Sequence, residues 1–416
     1  MGRTDTKGAG LATAKRPRVK RILLAGLCLL GCNGSEDNPV TSNQSTAPSH
    51  TSPYADWANG PSTAVDYFPI GVWIQSPQNA EAYRQIGINT YVGLWKGPTE
   101  EQLARLTDAG MSVICAQNEV GRAHIDDPTI VAWMHGDEPD NAQRQADGSW
   151  GGPVPAEEIA ANYEQLRTND PSRPVWLNLG QGVANDEWVG RAAPYETYPN
   201  YVAASDIVSF DVYPISGIRK DDGENYLWYV AKGIERLRNW ADDKKTVWNV
   251  IETTRINSER GPTPAQVEAE VWMSLIHGSR GIVYFAHEWN PVFREARLLE
   301  DETMRLGVAA INAQIHALAP ALNAKELMDW GQVQSTASEI PLAVSAKRYG
   351  DDLYLFAVPM RLGPTRGQFI IPDIKANYPI EVIGEDRQIQ SGDGSFIDEF
   401  ATYQVHRYRL AEYFAR

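Results

Sequence analysis

From residue 66 to residue 330 the sequence repeats one unit, a short apolar run followed by a helical segment. The eight apolar runs are 68–74, 89–95, 111–116, 130–135, 174–179, 206–213, 246–252 and 281–286. Short apolar runs that alternate with helices predict parallel strands joined by crossover helices. Eight such units over this length are typical of a (β/α)8 TIM barrel. The sequence therefore predicts an α/β fold, with residues 66–330 as the barrel.

An open, doubly wound sheet is the alternative architecture, because the segments after the third and fifth runs are short or irregular for crossover helices. However, the first run is not followed by the glycine-rich phosphate fingerprint that dinucleotide-binding sheets favour. Beyond Trp330 the helical period gives way to short alternating runs separated by turn signals such as Gly363-Pro364. Residues 335–416 are therefore predicted to form a small all-β sandwich.

The N-terminal segment has the pattern of an export signal. A basic stretch at 15–21 precedes a short apolar stretch at 22–30. The sequence Leu29-Leu30-Gly31-Cys32 then resembles the bacterial lipobox. That resemblance implies a signal peptide over 1–32, lipidation of Cys32 and anchoring of the exported protein to a bacterial membrane; an ordinary signal peptide is the alternative. Residues 33–65, rich in Ser, Thr, Asn and Pro, predict a disordered tether.

The charge and aromatic content of the chain limit its partners. The formal net charge is −15 although residues 1–31 are basic, which argues against nucleic acid as a partner. The chain holds 13 Trp and 18 Tyr, which suit a sugar-binding cleft as well as a core. None of the 7 His lies in a His-x-His or His-Glu-x-x-His spacing. The predicted partners are a carbohydrate and a membrane, and neither a metal nor a cofactor is predicted.

The fourth apolar run ends in Gly136-Asp137-Glu138-Pro139, so two adjacent carboxylates follow a buried strand. Proline at 139 stops the strand ladder, since it has no N–H to donate. Parallel strands of α/β folds place their chemistry at this C-terminal end. Glu138 is therefore predicted to be a catalytic acid/base. A solvated loop that caps the next helix is the structural alternative.

The seventh run, also apolar, ends in Glu252. Glycosidic bond hydrolysis uses two carboxyl groups, one protonated to help the leaving oxygen depart and one ionised to attack or to activate water. Strands four and seven lie on opposite sides of a small barrel, so Glu138 and Glu252 are predicted to form that pair. A structural ion pair of Glu252 with Arg255 or Arg280 is the alternative.

With this pair in place, the chain resembles the retaining clan A (β/α)8 glycoside hydrolases, which include β-galactosidases, cellulases and agarases. The resemblance implies a hydrolase of O-glycosidic bonds, with Glu138 as acid/base and Glu252 as nucleophile. It further implies that Tyr213 hydrogen-bonds Glu252, although Tyr213 suits a core equally well. Trp289, just past the eighth run, matches the aromatic platform under the reactive sugar.

One residue departs from that family, because Asp137 stands where the clan usually has Asn. An adjacent Asp-Glu pair also resembles hexosaminidases that use the acetamido group of the substrate as nucleophile, with Asp137 orienting that group and Glu138 as the acid. A non-catalytic carbohydrate-binding lipoprotein is a further alternative. Besides Asp137 and Trp289, the predicted substrate-binding residues are Trp73, Gln75, Asn118, His135, Asn178 and His287.

Overall fold

The computed structural model describes residues 52–188, 192–218, 222–256 and 258–415. The barrel strands are β1 Ile70–Trp73, β2 Thr90–Val92, β3 Ser112–Cys115, β4 Ile130–Met134, β5 Val175–Leu179, β6 Ile207–Phe210, β7 in two pieces, Thr246–Val247 and Asn249–Glu252, and β8 Ile282–Phe285. All of their pairings are parallel. The first piece of β7 pairs with β6 and the second with β8, so the two pieces close the ring. The predicted (β/α)8 barrel is confirmed, and the open sheet is wrong.

Helices follow the strands and cover the outside of the barrel. They are α1 Ala80–Gln85, α2 Glu100–Asp108, α3 Glu119–Ala123, α4 Ala156–Asn169, α5 Tyr198–Ala203, α6 Tyr229–Trp240, α7 Pro264–Ile276, α8 Arg297–Glu300 and α9 Glu302–Asn323. Thr99 and Thr263 begin α2 and α7 with reciprocal capping hydrogen bonds to Gln102 and Gln266. The crossover segments after the third and fifth strands are short, as the sequence indicated, since α3 and α5 have only 5 and 6 residues.

The inside of the barrel is filled by large side chains from alternating strand positions. Trp73 and Trp176 pack with their ring centroids 5.6 Å apart, in one cluster with Val92 and Val283. Trp73 was predicted to bind substrate, and this assignment is wrong because the ring is buried in that cluster. The interior of a barrel this size is a packed core, so an inward-facing Trp below the rim fills space.

The predicted tether extends too far along the chain. Tyr54, which lies inside its proposed range of 33–65, is buried against the barrel interior. Its hydroxyl donates to the backbone oxygen of Arg280 (2.8 Å) and accepts from Nε1 of Trp248 (2.9 Å). Composition averages over a tract, so it missed one aromatic side chain that seals the base of the barrel, next to the break in β7.

The C-terminal strands form two antiparallel sheets. They are β9 Gln332–Ser335, β10 Leu342–Tyr349, β11 Asp352–Pro359, β12 Thr365–Ile370, β13 Pro379–Val382, β14 Arg387–Gln390, β15 Ser395–Phe400 and β16 His406–Leu410. The sheet orders are β9-β12-β15 and β10-β11-β16-β13-β14. Phe369 and Phe396 stack at 4.5 Å in their shared core. The predicted β-sandwich is confirmed, and it packs on α7 of the barrel through Phe356 and Trp272.

The predicted signal peptide, with Cys32, and the first part of the tether lie outside the described residues. Among the residues that are described, no helix is both long enough and apolar enough to cross a bilayer.

Candidate active site

Glu138 lies at the C-terminal mouth of the barrel, in the turn that follows β4. Its φ of 42° is in the left-handed region, which a non-glycine residue adopts at a cost of about 1 kcal/mol and which is enriched at functional sites. Nδ2 of Asn141 donates to its Oε2 at 3.0 Å. A Cβ atom at Gly180 would lie 3.0 Å from its Oε1, so the glycine at the end of β5 leaves room for this carboxyl group. The turn therefore holds Glu138 in a defined position.

Asp137 lies at the surface of the mouth and is held from below. Nδ2 of Asn178 donates to its Oδ1 at 3.1 Å, and Oγ of Ser209 donates to Oδ1 of Asn178 at 2.8 Å. The protein that surrounds the carboxyl group, together with the charge of Glu138, raises the pKa of Asp137 to about 7. Asn178, predicted to bind substrate, is buried beneath Asp137 and acts here as its support.

Asp211 joins the same cluster from the end of β6. Its carboxyl group is hydrogen-bonded to that of Glu138. The hydroxyl of Tyr213 donates to its Oδ2 at 2.8 Å. Burial, followed by the charges of Glu138 and Asp137, raises the pKa of Asp211 well above its ordinary range. Asp211 was not among the predicted site residues, although it carries the same signal as Glu138, a carboxylate directly after an apolar strand.

Tyr213 does not have the predicted partner. Its hydroxyl bonds Asp211 instead of Glu252, and its ring lies 5.2 Å from that of Phe285 on β8. The expectation of a Tyr213–Glu252 hydrogen bond is therefore wrong. Tyr213 still lies at the mouth, since its hydroxyl contacts Asp211 just past the end of β6.

Glu252 does not reach the mouth. It is fully buried, and its carboxylate accepts from the backbone N–H of Ile215 (2.7 Å), the backbone N–H of Ser216 (2.8 Å) and the hydroxyl of Ser216. Its other neighbour is the carboxyl group of Glu270 on α7. Burial raises the pKa of Glu252 to about 7 although these hydrogen bonds act to lower it. The predicted pairing of Glu252 with Glu138 across the mouth is wrong, because the turn at 214–218 takes up both carboxylate oxygens.

A fourth carboxyl group fixes the turn that carries Asp137 and Glu138. Asp140 is fully buried and accepts from the backbone N–H of Gly180 (2.9 Å) and the hydroxyl of Tyr198 (2.9 Å). Burial raises its pKa to about 7. Asp140 thus ties the turn after β4 to β5 and α5.

Two predicted substrate-binding residues face away from the mouth. His135 is buried between helices, with Nδ1 2.7 Å from Oδ1 of Asn162 and Nε2 2.9 Å from the backbone oxygen of Ala204. Asn118 begins α3 by accepting from the backbone N–H of Gly121 at 2.9 Å, and its Nδ2 donates to the backbone oxygen of Pro98. Both assignments are corrected, because these side chains satisfy the backbone of the barrel wall.

Two others lie beneath the loop that follows β8. Gln75 is buried and donates to the backbone oxygen of Glu295 at 2.9 Å. His287 is also buried, 3.2 Å from Nε2 of Gln75, and burial lowers its pKa to about 4. Neither side chain is accessible to a substrate in this structure, so both predictions are corrected. Their role is to support the loop.

Trp289 lies on the surface of that same loop. It is 54% exposed, and Phe293, 51% exposed, lies 4.7 Å from it. The ring of His287 stacks beneath both, at 6.3 Å and 5.8 Å. An exposed aromatic pair held from below suits the flat face of a sugar ring, and a substrate-binding role for Trp289 stays a prediction.

Glu288, which follows His287 just past β8, is enclosed by cations. Its Oε2 lies 2.9 Å from Nε of Arg255 and 3.3 Å from Nε of Arg297. Within the described ranges, no group of three or more His, Cys, Asp or Glu residues is arranged to hold a metal ion.

Comparison with known proteins gives a likeness in structure but none in sequence. No family model matches the chain, and no curated protein matches it. A catalytic mutant of Gan42B, a GH42 β-galactosidase from G. stearothermophilus, superposes with a TM-score of 0.54 at 8% identity, covering 86% of this chain and all of that one. AmyP in complex with maltose gives a TM-score of 0.50 at 10% identity, covering 84% of this chain and 97% of that one. At these identities the likeness extends to the fold alone, and this chain shares with both proteins the predicted (β/α)8-barrel architecture.

Proposed function

We propose that this chain is a glycoside hydrolase that cleaves O-glycosidic bonds of a poly- or oligosaccharide at the C-terminal mouth of its barrel. The observation that carries the proposal is the grouping of Asp137, Glu138 and Asp211 at the end of β4 and β6. Carboxyl groups at this face are where barrel enzymes place their chemistry. The fold shared with a β-galactosidase and with a maltose-bound protein supports a carbohydrate substrate.

Glu138 is the proposed acid. It is partly exposed at the mouth, so it can reach the oxygen that links two sugars. Its hydrogen bond from Asn141 fixes one carboxylate oxygen at 3.0 Å. A general acid must be placed before the reaction begins, because catalysis by proton transfer depends on hydrogen-bond geometry.

The nucleophile in our proposal is the acetamido group of the substrate. A double displacement by two glutamates needs carboxyl groups about 5–5.5 Å apart across the anomeric carbon. Glu252 cannot supply the second in this conformation, because it is buried and its oxygens accept from Ile215 and Ser216. To Asp137, adjacent to Glu138 at the edge of the mouth, we assign the role of orienting an acetamido N–H.

The proposed reaction has two steps, and Glu138 takes part in both. The acetamido oxygen attacks the anomeric carbon, the bond to the leaving oxygen breaks, and Glu138 gives that oxygen a proton. Asp137 accepts the acetamido N–H and stabilises the positive charge that develops on the cyclic intermediate. Glu138 then takes a proton from water, the hydroxide adds to the anomeric carbon, and the acetamido group is released.

The test is hydrolysis of nitrophenyl glycosides, with and without a 2-acetamido group and in both anomeric forms, alongside a polysaccharide panel. We expect activity on the acetamido sugars, lowered roughly 10²–10⁴-fold in Glu138→Gln and in Asp137→Asn. Glu252→Gln is the matched control and should lower kcat much less. A large loss in Glu252→Gln with little change in Asp137→Asn would restore the two-glutamate mechanism. Binding without hydrolysis would favour a carbohydrate-binding protein.

We propose, separately, that the chain is exported and lipid-anchored through Cys32. The support is the basic stretch, the apolar stretch and the lipobox-like Leu29-Leu30-Gly31-Cys32. In a bacterial host, wild-type protein should partition with membranes and Cys32→Ser should not. Equal membrane partitioning of the two proteins would contradict the proposed lipid anchor.

A further inference from the structure

We propose that Asp211 is a positioning residue for Glu138, in which the two carboxyl groups share one proton and Tyr213 fixes Asp211. The inference rests on the proposed function, since it assigns Glu138 the role of acid. It adds a residue from β6 to the pair that follows β4. It also gives the hydroxyl of Tyr213 a role in proton donation by Glu138, through its hydrogen bond to Asp211.

Asp211 is held rigidly from both sides. Its backbone N–H donates to the oxygen of Leu179 on β5 at 3.0 Å, and its other edge pairs with Val250 on β7. The hydroxyl of Tyr213 donates to Oδ2 at 2.8 Å. The side chain therefore meets Glu138 from a fixed position, and its hydrogen bond with Glu138 joins the ends of β4 and β6.

An ionised Glu138 in contact with Asp211 disfavours a second negative charge on Asp211. The ionisable groups that face Asp211 are Glu138 and Asp137 from the turn after β4, and Tyr213 from the same segment that follows β6. The two carboxylates favour a proton on Asp211, whereas the hydroxyl of Tyr213 favours the ionised form. Asp211 is consequently the resting holder of the proton.

This arrangement supplies the proton that the first step consumes. As Glu138 protonates the leaving oxygen, Asp211 passes its proton to Glu138 along their hydrogen bond. Asp211 is then an anion that accepts from the hydroxyl of Tyr213. When Glu138 later takes a proton from water, the pair regains the one it lost.

The relay predicts opposite shifts for two variants. Asp211→Asn cannot hold the shared proton and removes the group whose pKa is raised, so the alkaline limb of the pH profile of kcat/KM should move to lower pH by about one pH unit or more. Tyr213→Phe removes the hydrogen-bond donor that favours ionised Asp211, so the alkaline limb should move to higher pH. A merely structural role would lower the whole profile in both variants without moving the limb.

The experiment compares wild type, Asp211→Asn, Asp211→Glu and Tyr213→Phe in two measurements, the pH profile of hydrolysis and urea unfolding between pH 5 and pH 8. Opposite limb shifts, with partial recovery in Asp211→Glu, would support the proposal. In unfolding, wild type should lose stability relative to Asp211→Asn as pH rises, because folded Asp211 holds its proton to higher pH than unfolded Asp211 does.

The two measurements separate this proposal from the proposed function. If no sugar is hydrolysed but the pH-dependent stability difference is present, the shared proton stands and the hydrolase assignment fails. If wild type hydrolyses sugars but neither the limb nor the stability difference moves, the role of Asp211 is overturned. Should Asp211→Asn fail to fold, Tyr213→Phe alone still decides, since an unmoved limb in that variant contradicts the relay.

Discussion

The carboxyl group of Glu252, at the end of β7, lies beside that of Glu270 on helix α7, and the charges of the two groups interact. Both residues are fully buried, so this pair lies within the wall of the barrel and not at its mouth. Burial and the charge of Glu252 raise the pKa of Glu270 well above its ordinary range. The protonated form of Glu270 is therefore favoured next to Glu252, which accepts hydrogen bonds from the turn at 214–218.

Replacing Glu252 with Ala should destabilise the fold by roughly 2–4 kcal/mol. The substitution leaves the N–H groups of Ile215 and Ser216 buried without an acceptor, and an unsatisfied buried donor costs about 1–3 kcal/mol. Urea unfolding of wild type and variant measures the difference. A stable Glu252→Ala protein that has lost all hydrolysis would instead place Glu252 in the chemistry.

Replacing Glu270 with Gln should flatten the dependence of stability on pH. A carboxyl group whose folded pKa is raised binds its proton more tightly when folded, so its stabilisation is present at low pH and is lost as pH rises. For Glu270 the window begins at the ordinary value near 4.5 and extends well above it, because burial and the charge of Glu252 raise its pKa. The free energy of unfolding of Glu270→Gln, measured in urea, should therefore rise relative to that of wild type between pH 5 and pH 8. Parallel curves for the two proteins would show that the buried pair does not titrate as described.

Replacing Tyr54 should reveal whether the base of the barrel needs its aromatic seal. Tyr54→Phe keeps the ring but leaves Nε1 of Trp248 without its acceptor, which should cost about 1–3 kcal/mol. Tyr54→Ala also removes the buried ring and should cost about 3–5 kcal/mol. Thermal unfolding of both variants tests whether Tyr54→Ala loses more stability than Tyr54→Phe. Wild-type stability in Tyr54→Ala would mean that residues near 54 belong to the tether after all.

Replacing Trp289 with Ala should raise KM for a sugar substrate several-fold with little effect on stability. The ring is largely exposed, so it contributes more to a bound sugar than to the core. Leu306→Ala, equally exposed on α9, is a matched control that should change neither quantity. Steady-state kinetics and thermal unfolding of both variants test this. An unchanged KM in Trp289→Ala contradicts the platform role.

The architecture could be predicted from the sequence because strands and helices are local patterns. Each of the eight apolar runs contains a barrel strand, and the run at 246–252 contains both pieces of β7. Glu138 could be placed at the mouth because it directly follows the fourth run. Tyr54 could not be anticipated, since its partners Trp248 and Arg280 are roughly two hundred residues away in the chain.

The sequence by itself determined the barrel, the sandwich and the presence of carboxylates at strand ends. Only the tertiary structure decided which carboxylates meet, because that depends on where each side chain points after its strand ends. The turn at 214–218 brings two N–H groups to Glu252 and so holds it in the wall with Glu270. Asp211, which the same reasoning passed over, instead meets Glu138, because its backbone bonds to β5 and β7 aim its side chain into the mouth.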